Sequence, residues 1–136
     1  MPIELDLTAL EKAVAALEAA LARQSREPDD DMIRDACIQR FEFTYELSHK
    51  MLKRFLEATS ASPAEFDALS FQDLIRVGSE RGLLASDGSR WKIFRTTHSA
   101  ASHSYDENNA REVFAVIPEF LREARYLRDR LREGVT

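Results

Sequence analysis

From Asp30 to Ala58 the chain runs without a glycine or a proline, and its apolar residues recur at helical spacing. Ile33, Cys37, Phe41, Tyr45, Leu52 and Phe55 fall along one face, and Ile38, Phe43, Leu47, Met51 and Leu56 widen it. Apolar positions three and four apart predict a helix, and a stripe this wide predicts neighbours on more than one side. This segment is therefore expected to be the central element. Asp29, Asp30 and Asp31 suit its first turn, where acidic groups meet the positive end of the helix dipole. Pro63 closes the run after Thr59, because the residue before a proline disfavours helical geometry.

The rest of the chain repeats the pattern. A first helix is predicted over about Leu5–Gln24, with Leu7, Leu10, Val14, Leu17 and Leu21 as its stripe and Asp6 or Thr8 as its cap. A short one is predicted over Phe71–Arg81, capped by Ser70 and stopped by Gly82. A fourth is expected over Arg90–Ser102 after the turn at Ser86–Ser89. A fifth is expected over Glu107–Arg132, capped by Asp106, with Val113, Ile117, Leu121, Ala124, Leu127 and Leu131 turned inward and a kink or break at Pro118. Only four glycines and four prolines occur in 136 residues, too few turns for a many-stranded sheet. The expected architecture is all-α: one domain over residues 1–136, an antiparallel four- to five-helix up-and-down bundle.

Charge and cysteine usage narrow the function. A formal net charge of −5 gives no global field to draw in polyanions. Cys37 is the single cysteine, so neither an internal disulfide nor a cysteine metal cage is expected. The N-terminus lacks a signal-peptide pattern, and no apolar run approaches the roughly 20 residues that cross a bilayer. A cytoplasmic protein with no membrane association is expected.

The stretch from His98 to Asp106 concentrates reactive groups. Arg95, His98 and Ser102 share a helix face, with His103 at the helix end and Tyr105 in the turn. Two imidazoles, a guanidinium and a phenol suit phosphoryl chemistry: histidine moves protons and arginine holds phosphate oxygens. Helix-end capping and packing would explain the same residues, and spacing alone favours that explanation. No metal-ligand spacing occurs, so no metal and no cofactor are expected. Glu42 and Glu46 at i, i+4 are read as a solvated stripe, with Glu46 pairing Lys50, over an acid–base pair. Arg34 and Arg40 would form a basic strip beside His98 if the helices pack that way. Arg122, Arg125, Arg128, Arg130 and Arg132 are read as a salt-bridged face in preference to an RNA-tracking ridge.

The run Ile38-Gln39-Arg40-Phe41-Glu42-Phe43-Thr44-Tyr45-Glu46-Leu47, followed by Lys50, Leu52 and Lys53, resembles the long-helix signature of the nucleotidyltransferase substrate-binding proteins of the HEPN superfamily. Trp91 and Ser102-His103-Ser104-Tyr105-Asp106-Glu107 resemble that family's second signature, and the likeness covers nearly the whole chain. The resemblance implies a helical bundle that forms a homodimer beside a minimal nucleotidyltransferase partner, the two acting as a toxin–antitoxin pair. It also implies a motif of Arg, four residues, His, one residue, Tyr, in which the Arg and His drive metal-independent RNA cleavage and the partner adenylylates the tyrosine. Here His98 stands where that Arg is expected, and Ser99 where Asn is frequent. A mostly neutral imidazole cannot replace a forked guanidinium, although Arg95 lies one turn earlier on nearly the same face.

Three functions follow from these residues. The first is an interaction module presenting a nucleotide, or the Tyr105 hydroxyl, to a nucleotidyltransferase, with Ser102, Asp106 and Arg40 as further nucleotide contacts. The second is an RNase using His103 with His98 or Arg95. The third is a structural dimer without chemistry.

Overall fold

A computed structural model describes residues 3–135. Its elements are α1 (Thr8–Arg26), α2 (Asp31–Ala58), α3 (Phe71–Glu80), α4 (Gly88–Ala100) and α5 (Glu107–Gly134), with short 3-10 turns at Pro63–Asp67 and Ala101–His103. The described residues are 80% helical, and the only β-type pairing among them is an isolated bridge between Ile3 and Val135.

The long central helix starts where its acids place it. Asp30 caps α2, its Oδ1 accepting from the Met32 and Ile33 amides at 2.9 and 3.3 Å. Helix α2 contacts each of the other four, which is why its buried set spreads over Cys37, Ile38, Phe41, Tyr45, Met51, Leu52, Phe55 and Leu56. Phe43 departs from its expected place: it is 40% exposed. Two residues past Phe41 is a turn of roughly 200° about the axis, which carries Phe43 to the outer face. Helix α1 lies along one flank, and Thr44 on α2 is buried there, its hydroxyl donating to the Arg40 carbonyl at 2.6 Å.

Helix α5 buries Val113, Ile117, Leu121, Ala124, Leu127 and Leu131, as the spacing predicts. It runs unbroken through Pro118, so of the expected kink or break the break does not occur. Pro118 faces solvent, so the Phe114 carbonyl loses its helical donor on the side of the helix nearest water. Glu123 stands apart from the arginine-rich face of α5: it is 2% exposed, accepting on Oε1 from the Ala85 amide at 3.0 Å, the Ser86 amide at 3.3 Å and the Trp91 indole at 2.9 Å. Those donors lie on the connection into α4 and on α4 itself, so one carboxylate fixes where that helix begins. Trp91 in turn packs edge-on against Phe94 and Phe120, with ring centroids 5.5 and 6.2 Å away.

Helix α3 ends as Gly82 foretells. Gly82 has φ +74°, and the Leu83 and Gly82 amides donate back to Gly78 and Ser79 at 2.9 and 3.0 Å. This is a Schellman closure, for which glycine has no steric penalty. The 3-10 turn at Pro63–Asp67 was not foreseen, because a single buried apolar residue, Phe66, gives no periodicity to read.

Removing the Glu123 carboxylate leaves two amides and an indole N–H buried without an acceptor. Glu123→Ala is expected to lower stability by about 2–4 kcal/mol, and Glu123→Gln, which keeps one acceptor oxygen, by less. Urea unfolding followed by Trp91 fluorescence measures both; equal midpoints for wild type and Glu123→Ala would refute the assignment.

Candidate functional site

The stretch His98–Asp106 spans the last turn of α4, the Ala101–His103 turn and the start of α5. Asp106 caps α5, accepting from the Asn109 amide at 3.0 Å, and its own amide donates to the His103 carbonyl at 3.2 Å. The Asn109 side chain donates to the Ala100 carbonyl at 2.8 Å, fastening the end of α4 to the start of α5. Ser102 donates to the Ser99 carbonyl at 3.2 Å. Ser102 and Asp106 therefore have structural partners inside the turn they build. That rigid corner carries His103 and Tyr105 outward: their rings sit 6.1 Å apart at 74°, and Tyr105 is 87% exposed.

His98 turns the other way, toward α2. Its ring stacks on Tyr45 at 4.5 Å and 25°, and its Nε2 lies 3.1 Å from Glu46 Oε1. Glu46 thus takes His98 as partner in place of the expected Lys50, because its position on α2 faces α4. The two histidines of the motif consequently engage different neighbours. Beneath His98, burial pushes the Tyr45 phenol up to about 12, with Arg95 opposing the shift.

A cleft of about 430 Å³ opens between α2, the Pro63–Asp67 turn, α3 and α4. Its walls include His49 and Lys53 from α2, Phe71 from α3, and Arg95 and His98 from α4. His49 lies near-parallel to Phe71 at 5.9 Å and 17°, and the Arg95 guanidinium sits 4.7 Å from the centre of the Phe71 ring. Burial, then the charges of Lys53 and Arg95, hold the His49 imidazole below its ordinary pKa. Sequence reading did not include His49 among the site residues. The signal that would have found it is the Tyr45–His49–Lys53 series at i, i+4 and i+8, a polar flank continuing from the core stripe.

The expected basic strip does not form. Arg40 faces α1, its Nη1 donating to the Ala16 carbonyl at 2.7 Å. Arg34 reaches Glu107 at the start of α5, 2.8 Å away, and also neighbours Asp31 and Asp35. Position on the helix decides this: Arg40 projects toward α1, on the side of α2 away from the cleft. The arginines of α5 tie helices together as expected of a salt-bridged face. Arg125 and Arg128 meet Glu18 at 3.1 and 3.5 Å, and Arg132 meets Glu11 at 2.8 Å. Arg130 donates to the Gly82 carbonyl at 3.0 Å. Among the described residues no three His, Cys, Asp or Glu side chains converge as a metal site would need, and no helix is long and apolar enough to cross a membrane.

Comparison with known proteins follows the same outline. A family model described as nucleotidyltransferase substrate binding protein like matches residues 5–133. A Haemophilus influenzae protein named probable ribonuclease HepT is 35% identical over 141 residues, covering 98% of this chain and 96% of that one. A solved H. influenzae structure, described as revealing the fold of a substrate-binding domain of a nucleotidyltransferase, superposes with a TM-score of 0.86 at 34% identity, covering 93% of this chain and 99% of the other. A crystal structure from Thermus thermophilus superposes with a TM-score of 0.72 at 31% identity, covering 90% and 98%.

Tyr45 gives the site a pH signature. Its phenol ionises near 10 when unfolded and near 12 when folded. Between those values the unfolded chain has lost a proton that the native state keeps, so stability falls as pH rises. The stabilisation is complete below about pH 10, and a loss of about 2–3 kcal/mol is expected by about pH 12. Comparing wild type with Tyr45→Phe by urea unfolding across that range isolates it; parallel pH profiles would contradict the buried phenol.

Proposed function

This chain belongs to the nucleotidyltransferase substrate-binding-protein-like family, and on that premise we propose that it is the helical companion of a separate minimal nucleotidyltransferase, presenting the Tyr105 hydroxyl as the acceptor of a nucleotidyl group. The observation that carries this is the contrast among its three tyrosines. Tyr45 is buried, and Tyr126 donates to the Gly82 carbonyl at 3.3 Å. Tyr105 alone is 87% exposed, on a corner held rigid by the Asp106 cap and the Asn109–Ala100 bond. A presented acceptor needs an accessible oxygen at a fixed place, because positioning supplies much of the rate of group transfer.

In the proposed step the Tyr105 oxygen bonds to the α-phosphorus of a nucleoside triphosphate held by the partner. The bond from that phosphorus to the bridging oxygen breaks, and pyrophosphate leaves. His103, whose ring neighbours Tyr105, accepts the phenolic proton as a neutral imidazole. Homodimer formation and a toxin–antitoxin relationship with the partner belong to the same proposal.

A second reading is an RNase, favoured by the name of the H. influenzae relative. There His103 would take the proton of a ribose 2′-hydroxyl, with His98 or Arg95 holding the phosphate. His98 instead stacks on Tyr45 and contacts Glu46, which favours the companion reading over this one.

Incubation with ATP and a partner minimal nucleotidyltransferase is expected to raise the intact mass by whole nucleotidyl increments. Tyr105→Phe should abolish the gain and Tyr126→Phe should not. A gain that survives Tyr105→Phe sinks the proposal. RNA incubated with the chain alone in chelator should stay intact; cleavage that disappears in His103→Ala establishes the second reading instead.

A further inference from the structure

The cleft between α2, α3 and α4 has chemistry that neither Tyr105 nor its turn uses. The Arg95 side chain makes no hydrogen bond or ion pair among the described residues; its guanidinium lies 4.7 Å from the centre of the Phe71 ring. Most arginines of this acidic chain meet a carboxylate or a carbonyl. Arg95 instead is exposed on the cleft wall with its guanidinium over the Phe71 ring. Lys53 stands on the same cleft, paired with Asp67 at 3.0 Å, an aspartate 70% exposed. An exposed pair of that kind is worth little, so an incoming anion displaces it at low cost.

The cleft is also apolar where a base would lie. Phe71 and His49 present near-parallel rings, and Phe66, Leu69 and Leu74 line the same space. A volume of about 430 Å³ falls within the roughly 300–1,000 Å³ of small-molecule sites. Glu46 and Asp67 stand among the lining groups, and the chain carries a net charge of −5. A long polyanion would meet those acids and find no basic track beyond the cleft. A compact ligand with one phosphate end and one aromatic end satisfies both halves.

We propose that this cleft is a mononucleotide-binding site, in which Arg95 and Lys53 hold the phosphate and Phe71 and His49 contact the base. Tyr105 is not among the residues lining it, and His98 is. The choice of a nucleotide as ligand rests on the companion reading above, while the site itself rests on the cleft. Guanidinium suits the phosphate because its forked donors bond two oxygens at once, and aromatic rings take any base by stacking.

The three histidine rings give a direct readout by NMR, since only His49 and His98 line the cleft. AMP titrated into the chain alone, at low ionic strength and near neutral pH, is expected to shift the His49 and His98 ring signals and leave His103 in place. Arg95→Ala, a change at an exposed side chain, should weaken AMP about tenfold or more, with Arg95→Lys between, while Arg122→Ala binds as wild type. Inorganic phosphate and adenosine should each bind more weakly than AMP. The site is overturned if millimolar AMP moves neither ring, if it moves His103 alone, or if Arg95→Ala binds unchanged. Equal affinity for phosphate and AMP overturns the base contact, and tighter Arg95-dependent binding of a short RNA than of AMP overturns the mononucleotide in favour of a strand. No nucleotidyltransferase is present in this titration, so its failure leaves the Tyr105 mass gain standing, and absence of that gain leaves the titration standing.

Discussion

Helix α2 has to satisfy the core with one side and the polar cleft with the flank beside it, and the two meet in Tyr45. Its ring packs toward Phe41, Trp91 and Phe120 and carries the stacked imidazole of His98. Four residues on, His49 continues the flank, and Lys53 follows another turn later. A rotation of α2 by one residue, about 100°, would withdraw all three and expose core side chains. The hydrophobic burial that holds α2 in rotation, of order 1.5–3 kcal/mol for each large side chain, therefore also holds the cleft in shape.

Helix α4 is held by a different means. Its apolar face is short, with Trp91, Phe94 and Thr97 as its buried residues, and a short stripe leaves room for sliding. The Glu123 carboxylate removes that freedom by accepting from two amides before the helix and an indole within it. Directional bonds in a dry interior are strict about distance and angle. Arg95 and His98 inherit their places from this anchor, both on the wall that α4 contributes to the cleft.

Periodicity made the five helices readable, because burial on one side imprints a repeat of three and four residues that survives without any knowledge of neighbours. Three caps were readable for the same local reason: Asp30, Ser70 and Asp106 each accept from amides two or three residues on; neither Asp6 nor Thr8 caps α1, whose N-cap is Leu7. What could not be read was whatever depends on a partner distant in sequence. Glu123 looked like one more acid in a charged helix until Trp91, 32 positions away, turned out to donate to it. Glu46 looked paired with Lys50 until α4 brought His98 beside it, 52 positions away. His49 was passed over because its meaning comes from Phe71, on a helix too short to announce where it packs. The family likeness rightly identified the fold and drew the eye to Tyr105; it carried no information on which way His98 faces in this chain.

The Ile3 amide donates to the Gly134 carbonyl at 3.0 Å, so the two described ends of the chain lie side by side where α5 finishes. Tyr105 lies just before α5 begins, and α5 is 28 residues long, or about 40 Å at the helical rise. The molecule is thus polar in the geometric sense, with its chain ends at one pole and its exposed phenol at the other. A protein that embraces the phenol pole need never touch the ends. Anything held at the pole of the described ends would have to cross the length of α5 to reach the phenol.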